Sequence, residues 1–245
     1  MLDLIGAISL TTLALGLIGI LAFSGKLDRA SRTRLIVLGV AWLLAVVCLA
    51  AAGGFARPPL GIGLALVIPI ALGVIAVARL KSARSFALEI PLATLIALHV
   101  GRLIGGFFLA LQAAGRLSPT FALTAGRGDI LIALAALPVA WAVQRRVAGW
   151  WWVAVAWNVL GIADLATAVT LGVGSANSPI QFVFEPPGSG AIMTLPWAII
   201  PAFLVPALFL THIAIFWRLA RLARAAEGPA TPAAHGAAGA AGHAR

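Results

Sequence analysis

Between Ile90 and Leu111 the chain carries one fixed charge, Arg102, in a run otherwise built almost wholly of Leu, Ile, Ala, Val, Gly and Phe. A stretch this long and apolar crosses a bilayer, which takes about 20 such residues. An arginine at the centre of a lone span costs roughly 2.5–3.5 kcal/mol on insertion scales. The chain therefore has to fold as a helical bundle that gives Arg102 a partner inside the membrane. The surroundings of that partner are the first place to look for function.

The rest of the chain agrees with a fold in lipid. It is 62% hydrophobic and 10% charged, with a mean hydropathy of +1.08, whereas soluble domains carry about 25% charged residues. A net charge of +10 would suggest nucleic acid in a soluble chain. Here the basic residues fall in loops, where topology demands them, and no nucleic-acid partner is expected. Cys48 is the single cysteine, so no internal disulfide forms. Tyrosine is absent, which removes tyrosine-based radical or proton chemistry and leaves eight tryptophans as the main interfacial aromatics.

Seven apolar runs are long enough to cross, at 2–23, 35–54, 60–79, 86–112, 129–144, 150–173 and 191–217. The loops after spans one, three, five and seven hold Lys26, Arg29, Arg32, Arg34, Arg79, Lys81, Arg84, Arg145, Arg146, Arg218, Arg221 and Arg224. The opposite loops hold Arg57, Arg116 and Arg127. The positive-inside rule then places the N-terminus outside and the C-terminus in the cytoplasm. The N-terminus lacks a basic n-region, since Asp3 precedes the first run and the positive charges follow it, so a retained first helix is expected.

Residues 1–226 read as one seven-helix domain of all-α class, and 227–245 as a disordered Ala/Gly/Pro-rich cytoplasmic tail. His235 and His243 in that tail make no metal site. Two outer loops are long. In 116–128, Phe121–Gly126 is apolar enough to dip into the membrane against protein. In 174–190, a short hairpin or interfacial segment is expected to cap the outer face.

Counting about 1.5 Å per residue, Arg102 in span four and Asp164 in span six lie at one depth, and His99 and Asn158 lie together slightly deeper. His99 and Arg102 are three apart on one face. An Arg102–Asp164 ion pair is expected, with His99 and Asn158 hydrogen-bonded nearby. Asp129 is expected at the start of span five, where an acid favours a helix N-terminus. Glu89 and His212 are placed near the cytoplasmic ends of spans four and seven, to pair or to reach the interface. Gly101 and Gly105 permit close helix approach. Pro196, Pro201 and Pro206 imply a bent or unwound seventh helix.

Several chemistries fail on residue inventory. A retinal Schiff base needs a lysine in the last span, and Lys26 and Lys81 are both in loops. A seven-span zinc hydrolase needs three histidines around one metal, and the spans offer His99 and His212, so no metal site is expected. Gly126-Arg127-Gly128-Asp129 and Pro206-Ala207-Leu208 match strings of intramembrane aspartyl proteases, but the other acid, Asp164, follows the first string where it should precede it. Haem b is the cofactor alternative, held by His99 alone or with His212, although their reckoned levels differ by roughly 10 Å.

The segments around Arg102, Gly128-Asp129, Trp157-Asn158 and Pro201–His212 resemble those of a broad set of bacterial inner-membrane proteins without assigned activity. The resemblance implies that location and carries over no catalytic residue. The sequence thus points to a multi-pass inner-membrane protein with lipid around it. Its polar cluster of His99, Arg102, Asp129, Asn158 and Asp164, with Glu89 and His212 secondary, binds a small ligand or handles protons. The alternatives are a haem-binding or other intramembrane enzyme using His99, and a structural or accessory subunit, self-associated or in a complex, in which the cluster only fastens helices.

Overall fold

The computed structural model describes residues 1–56 and 60–226, and within them seven helical stretches are long and apolar enough to cross a membrane. Arg57 and the expected tail at 227–245, with His235 and His243, lie outside the described residues. No strand occurs among the described residues. The first two spans are α1 (Leu2–Ser24) and α2 (Arg29–Ala51). The third is α3 (Leu60–Arg79), followed by a short helix, α4 (Lys81–Glu89). The fourth is composite: α5 (Leu92–Ala97), a 3₁₀ segment (Leu98–Ile104) and α6 (Gly105–Ala113). The fifth and sixth are α7 (Pro119–Arg145) and α8 (Trp150–Gly174). A π turn (Ile200–Leu204) leads into α9 (Val205–Ala226), the seventh.

Several boundaries move from where the apolar runs put them, each for a local reason. Helix α2 starts at Arg29, ahead of residue 35, because the Asp28 carboxylate accepts from Ser31 N at 2.8 Å and caps the turn. Arg32 reaches back to the carbonyls of Ala22 (3.3 Å) and Leu27 (3.4 Å), satisfying acceptors left over where α1 ends. Pro91 divides the expected 86–112 span, so the crossing begins at Leu92 and Glu89 ends the separate helix α4. The seventh crossing begins at Ile200 rather than 191, leaving Pro196 outside it, and its first turn is widened to π geometry at Pro201.

The largest correction concerns the fifth span. Residues 119–128 are helical and do not form a loop, so the crossing is α7, 27 residues long, and not the short 129–144. Ser118 with Pro119 at the first helical turn is the start signal. Its inward stripe is rich in small residues (Ala122, Ala125, Gly126, Ala133, Ala136, Ala140) beside Phe121, Ile132, Val139 and Val143, while Leu131, Leu134, Leu137 and Trp141 face outward. That stripe lets α7 sit at the centre of the bundle, against the whole fourth span and α8.

The segment 175–199 closes the end of the bundle at which Met1 lies. It forms neither a strand pair nor a flat helix. The amides of Phe182 (3.0 Å) and Val183 (2.9 Å) both donate to Gly174 O, and Ser189 Oγ donates to Gly172 O at 2.6 Å. Glu185 caps α7, accepting from Thr120 N at 2.8 Å and from Thr120 Oγ1 at 2.7 Å. Those two donors hold the exposed Glu185 carboxyl below its ordinary pKa of 4.5. The cap therefore contributes fully above that value and is lost as pH falls through the lowered one. Replacement of Glu185 by Ala is expected to speed hydrogen exchange of the first-turn amides of α7 several-fold at neutral pH, with α8 unchanged. Equal exchange in both proteins would refute the cap.

Candidate functional site

Three spans converge on Arg102, which is fully buried. Its Nε donates to Asp129 Oδ1 on α7 at 2.6 Å, and an Nη donates to Gly161 O on α8 at 3.1 Å. The other Nη pairs with Asp164 Oδ2, also on α8. The expected partner Asp164 is present, and Asp129 joins it as a second carboxylate. Asp129 is not at a helix start: it lies ten residues into α7 from Pro119 and is 6% exposed. Asp164 lies ten residues from the end of α8 at Gly174, and Arg102 eleven from Ala113. The three charges share one level because those three distances match.

Close approach depends on missing side chains. A Cβ on Gly105 would lie 2.5 Å from Asp129 Cβ and 2.7 Å from Gly126 O. A Cβ on Gly128 would run into the Asp164 carboxylate. Gly101 faces a different helix, where its Cβ would lie 2.9 Å from Leu13 on α1. The two glycines of the expected small-residue motif therefore serve two neighbours.

A second polar layer lies beside the first. Three residues per turn in the 3₁₀ segment set His99 directly over Arg102. His99 Nε2 is 3.0 Å from Thr211 Oγ1, which is 2.8 Å from Leu208 O. His212, expected near the end of span seven and within reach of Glu89, is instead fully buried beside His99, with ring centroids 4.0 Å apart. Its Nδ1 is 2.7 Å from Asn158 Oδ1, and Asn158 Nδ2 donates to His212 O at 3.1 Å. Asn158 thus serves His212 and not Arg102. Trp157 closes the layer, edge-on to His99 at 5.1 Å, with Nε1 donating to Ile132 O at 3.1 Å.

The two layers touch at Gly161, whose carbonyl binds Arg102 and whose Cβ position is filled by the His212 ring. The difference in level reckoned between the histidines came from the misplaced start of span seven. From the corrected ends, His99 is fourteen residues from Ala113 and His212 twelve from Ile200. With centroids 4.0 Å apart and planes tilted by 41°, the rings leave no gap for a haem iron between them. No group of three or more His, Cys, Asp or Glu side chains is arranged to hold a metal among the described residues.

Next to the charged layer is a partly open cleft with about 70 Å³ of enclosed space, bounded by α3, α6, α7, α8 and the segment 192–205. Its wall includes Leu66, Phe108, Phe121, Leu165, Ala168 and Met193, and Asp129 is the single ionisable residue on it. Sequence reasoning missed this cleft, and while it counted Asp129 in the polar cluster it put the residue at a helix start and not in direct contact with Arg102. The Ser118-Pro119 helix start would have corrected that placement.

Fold and site together define a class: an all-α, seven-span membrane protein with a charged and a histidine layer buried in its centre. Residues 59–220 match the sequence model of a family described as Domain of unknown function (DUF8737), and the chain belongs to that family. The matched stretch contains every residue of both layers. Comparison with curated proteins and with solved structures finds no match.

Truncating Arg102 to Ala would leave a buried carboxylate, Asp129, and a half-buried one, Asp164, without a cation. It is expected to cost about 3–5 kcal/mol of stability, read as a lower unfolding temperature in detergent. Arg102→Lys is expected to fail as well, since a lysine cannot reproduce three divergent planar donors. Arg102→Met combined with Asp129→Asn and Asp164→Asn is expected to recover most of the loss. An Arg102→Ala protein as stable as the wild type would mean that the cluster carries no charge in need of pairing.

Proposed function

We propose that the protein binds a lipophilic small molecule in the cleft between α3, α7 and α8, with the polar end of that molecule at Asp129. The observation that carries this reading is the double position of Asp129, which lines an otherwise apolar cleft and pairs with Arg102. About 70 Å³ of the cleft is enclosed, room for the polar end of a ligand whose apolar body would lie along the open side. An apolar wall with one carboxylate suits a long hydrocarbon body ending in a hydrogen-bond donor such as a hydroxyl or amine. Arg102 fixes the carboxylate in place, and Asp164 and Gly161 fix Arg102. By the positive-inside rule the basic loop ends face the cytoplasm, which puts the cleft in the outer half of a bacterial inner membrane.

A second reading has its own support. The three donor directions of Arg102 are all met by neighbouring helices, as in an interhelical clasp, and an accessory subunit would need no more than that.

Mass spectrometry of an organic extract of the detergent-purified protein separates the two. Ligand binding is expected to give one lipophilic compound near stoichiometric amount, enriched over bulk lipid. Ala168→Phe, which fills the cleft, is expected to reduce retention at least about tenfold while the unfolding temperature stays close to wild type. Bulk lipid alone in the wild-type extract would refute ligand binding and leave the clasp.

A further inference from the structure

We propose that His99 and His212 form a proton-accepting pair in the membrane core that takes up a single proton, on one or other of their two bare ring nitrogens. The inference starts from which nitrogens already carry hydrogen. Asn158 Nδ2 donates to His212 O, so Asn158 presents its oxygen to the ring, and His212 Nδ1 must be the donor in the 2.7 Å contact. The shorter contact of the Thr211 hydroxyl is to Leu208 O, which takes its hydrogen, so His99 Nε2 donates to Thr211. Each neutral ring then has one bare lone pair, on His99 Nδ1 and on His212 Nε2. Those are the two ring nitrogens that are buried and without a hydrogen-bond partner.

Leaving two buried acceptors unmet is costly, and the rings that bear them are in contact. A proton is the cation for which two imidazole nitrogens suffice. A zinc-type ion takes about four ligands, and no third His, Cys, Asp or Glu stands with the pair among the described residues. Uptake stops at one, because a second positive charge on the touching ring would meet the first.

The charges that face the pair are few. Arg102 on its own span is nearest, and beyond it, on the far side of the guanidinium, lie Asp129 on α7 and Asp164 on α8, with neutral Asn158, Trp157 and Thr211 completing the surround. Arg102 opposes protonation of the pair, and the two carboxylates favour it. With both acids ionised, two carboxylates against one guanidinium would leave one negative charge in excess, which a proton on the pair would neutralise. The charged layer thus acts as counter-ion to the histidine layer across Gly161. Uptake is one proton onto a lone pair, with no bond broken in the protein.

The test is nitrogen-15 NMR of histidine-labelled full-length protein in which His235→Gln and His243→Gln leave His99 and His212 as the only imidazoles. At about pH 8 each ring is expected to show one bare and one protonated nitrogen, at Nε2 of His99 and Nδ1 of His212. Between about pH 8 and pH 4 both rings are expected to respond together with one midpoint and one proton per chain. Asp164→Asn is expected to lower that midpoint by about one pH unit or more. Rings that stay neutral throughout, or titrate separately as two full protons, would overturn the proposal. So would saturable binding of added zinc to both bare nitrogens at about pH 8.

Discussion

One arginine sets the geometry of this bundle. Arg102 is fully buried, and a guanidinium presents its donors in a plane with fixed angles. Meeting them requires α7 to bring Asp129 to one edge and α8 to bring both a carbonyl and Asp164 to the others. Each helix can be displaced only by a fraction of a hydrogen-bond length before a charge in a low-dielectric interior is uncovered. The small residues follow from that demand. Gly105, Gly126 and Gly128 stand where any Cβ would push the fourth span, α7 and α8 apart. In lipid such packing is also what holds helices together, since burial of apolar surface offers little.

The departure from α geometry in the fourth span belongs to the same arrangement. An α-helix would rotate His99 and Arg102 about 60° away from eclipse, since three residues cover about 300° of its turn. The 3₁₀ segment places them one above the other. The charged and histidine layers therefore stack on one line along the span. On α8 the same spacing recurs, with Asn158 serving the histidines and Gly161 the arginine. Across from them α9 contributes Thr211 and His212, adjacent in sequence, after a π turn that offsets its first residues. Irregular backbone is thus found at two places that aim polar side chains into the core.

The sequence showed the seven spans, the buried Arg102 and its partner Asp164, because each rests on an apolar run or on charge conservation within lipid. It hid what depends on exact helix ends. Arg127 and Asp129 suggested a loop by charge, although Ser118-Pro119 is a helix start and ten further residues of α7 follow it. That one shift moved Asp129 from a cap to the centre of the site. His212 was hidden in the same way, since an apolar run beginning at 191 made it a terminal residue. The cleft had no sequence signal at all. Its walls come from α3, α6, α7, α8 and the closing segment, and no single run of residues describes it.

The stoichiometry of the buried charges bears on whether they do more than fasten helices. A clasp is complete with one carboxylate per guanidinium, and a second acid adds desolvation cost without adding a cation. Here the second acid, Asp129, is also the one that opens onto the cleft. Structural economy would have placed an asparagine there, which could accept from Arg102 Nε without the extra charge. With both acids ionised, the excess negative charge would need a positive or hydrogen-bond-donating counterpart, and the surroundings offer two places for it. One is the cleft, from which a donor could reach Asp129. The other is the pair of imidazoles across Gly161, each with a nitrogen still bare. A single excess charge serving both places would couple them, because a counterpart arriving at one reduces the demand at the other.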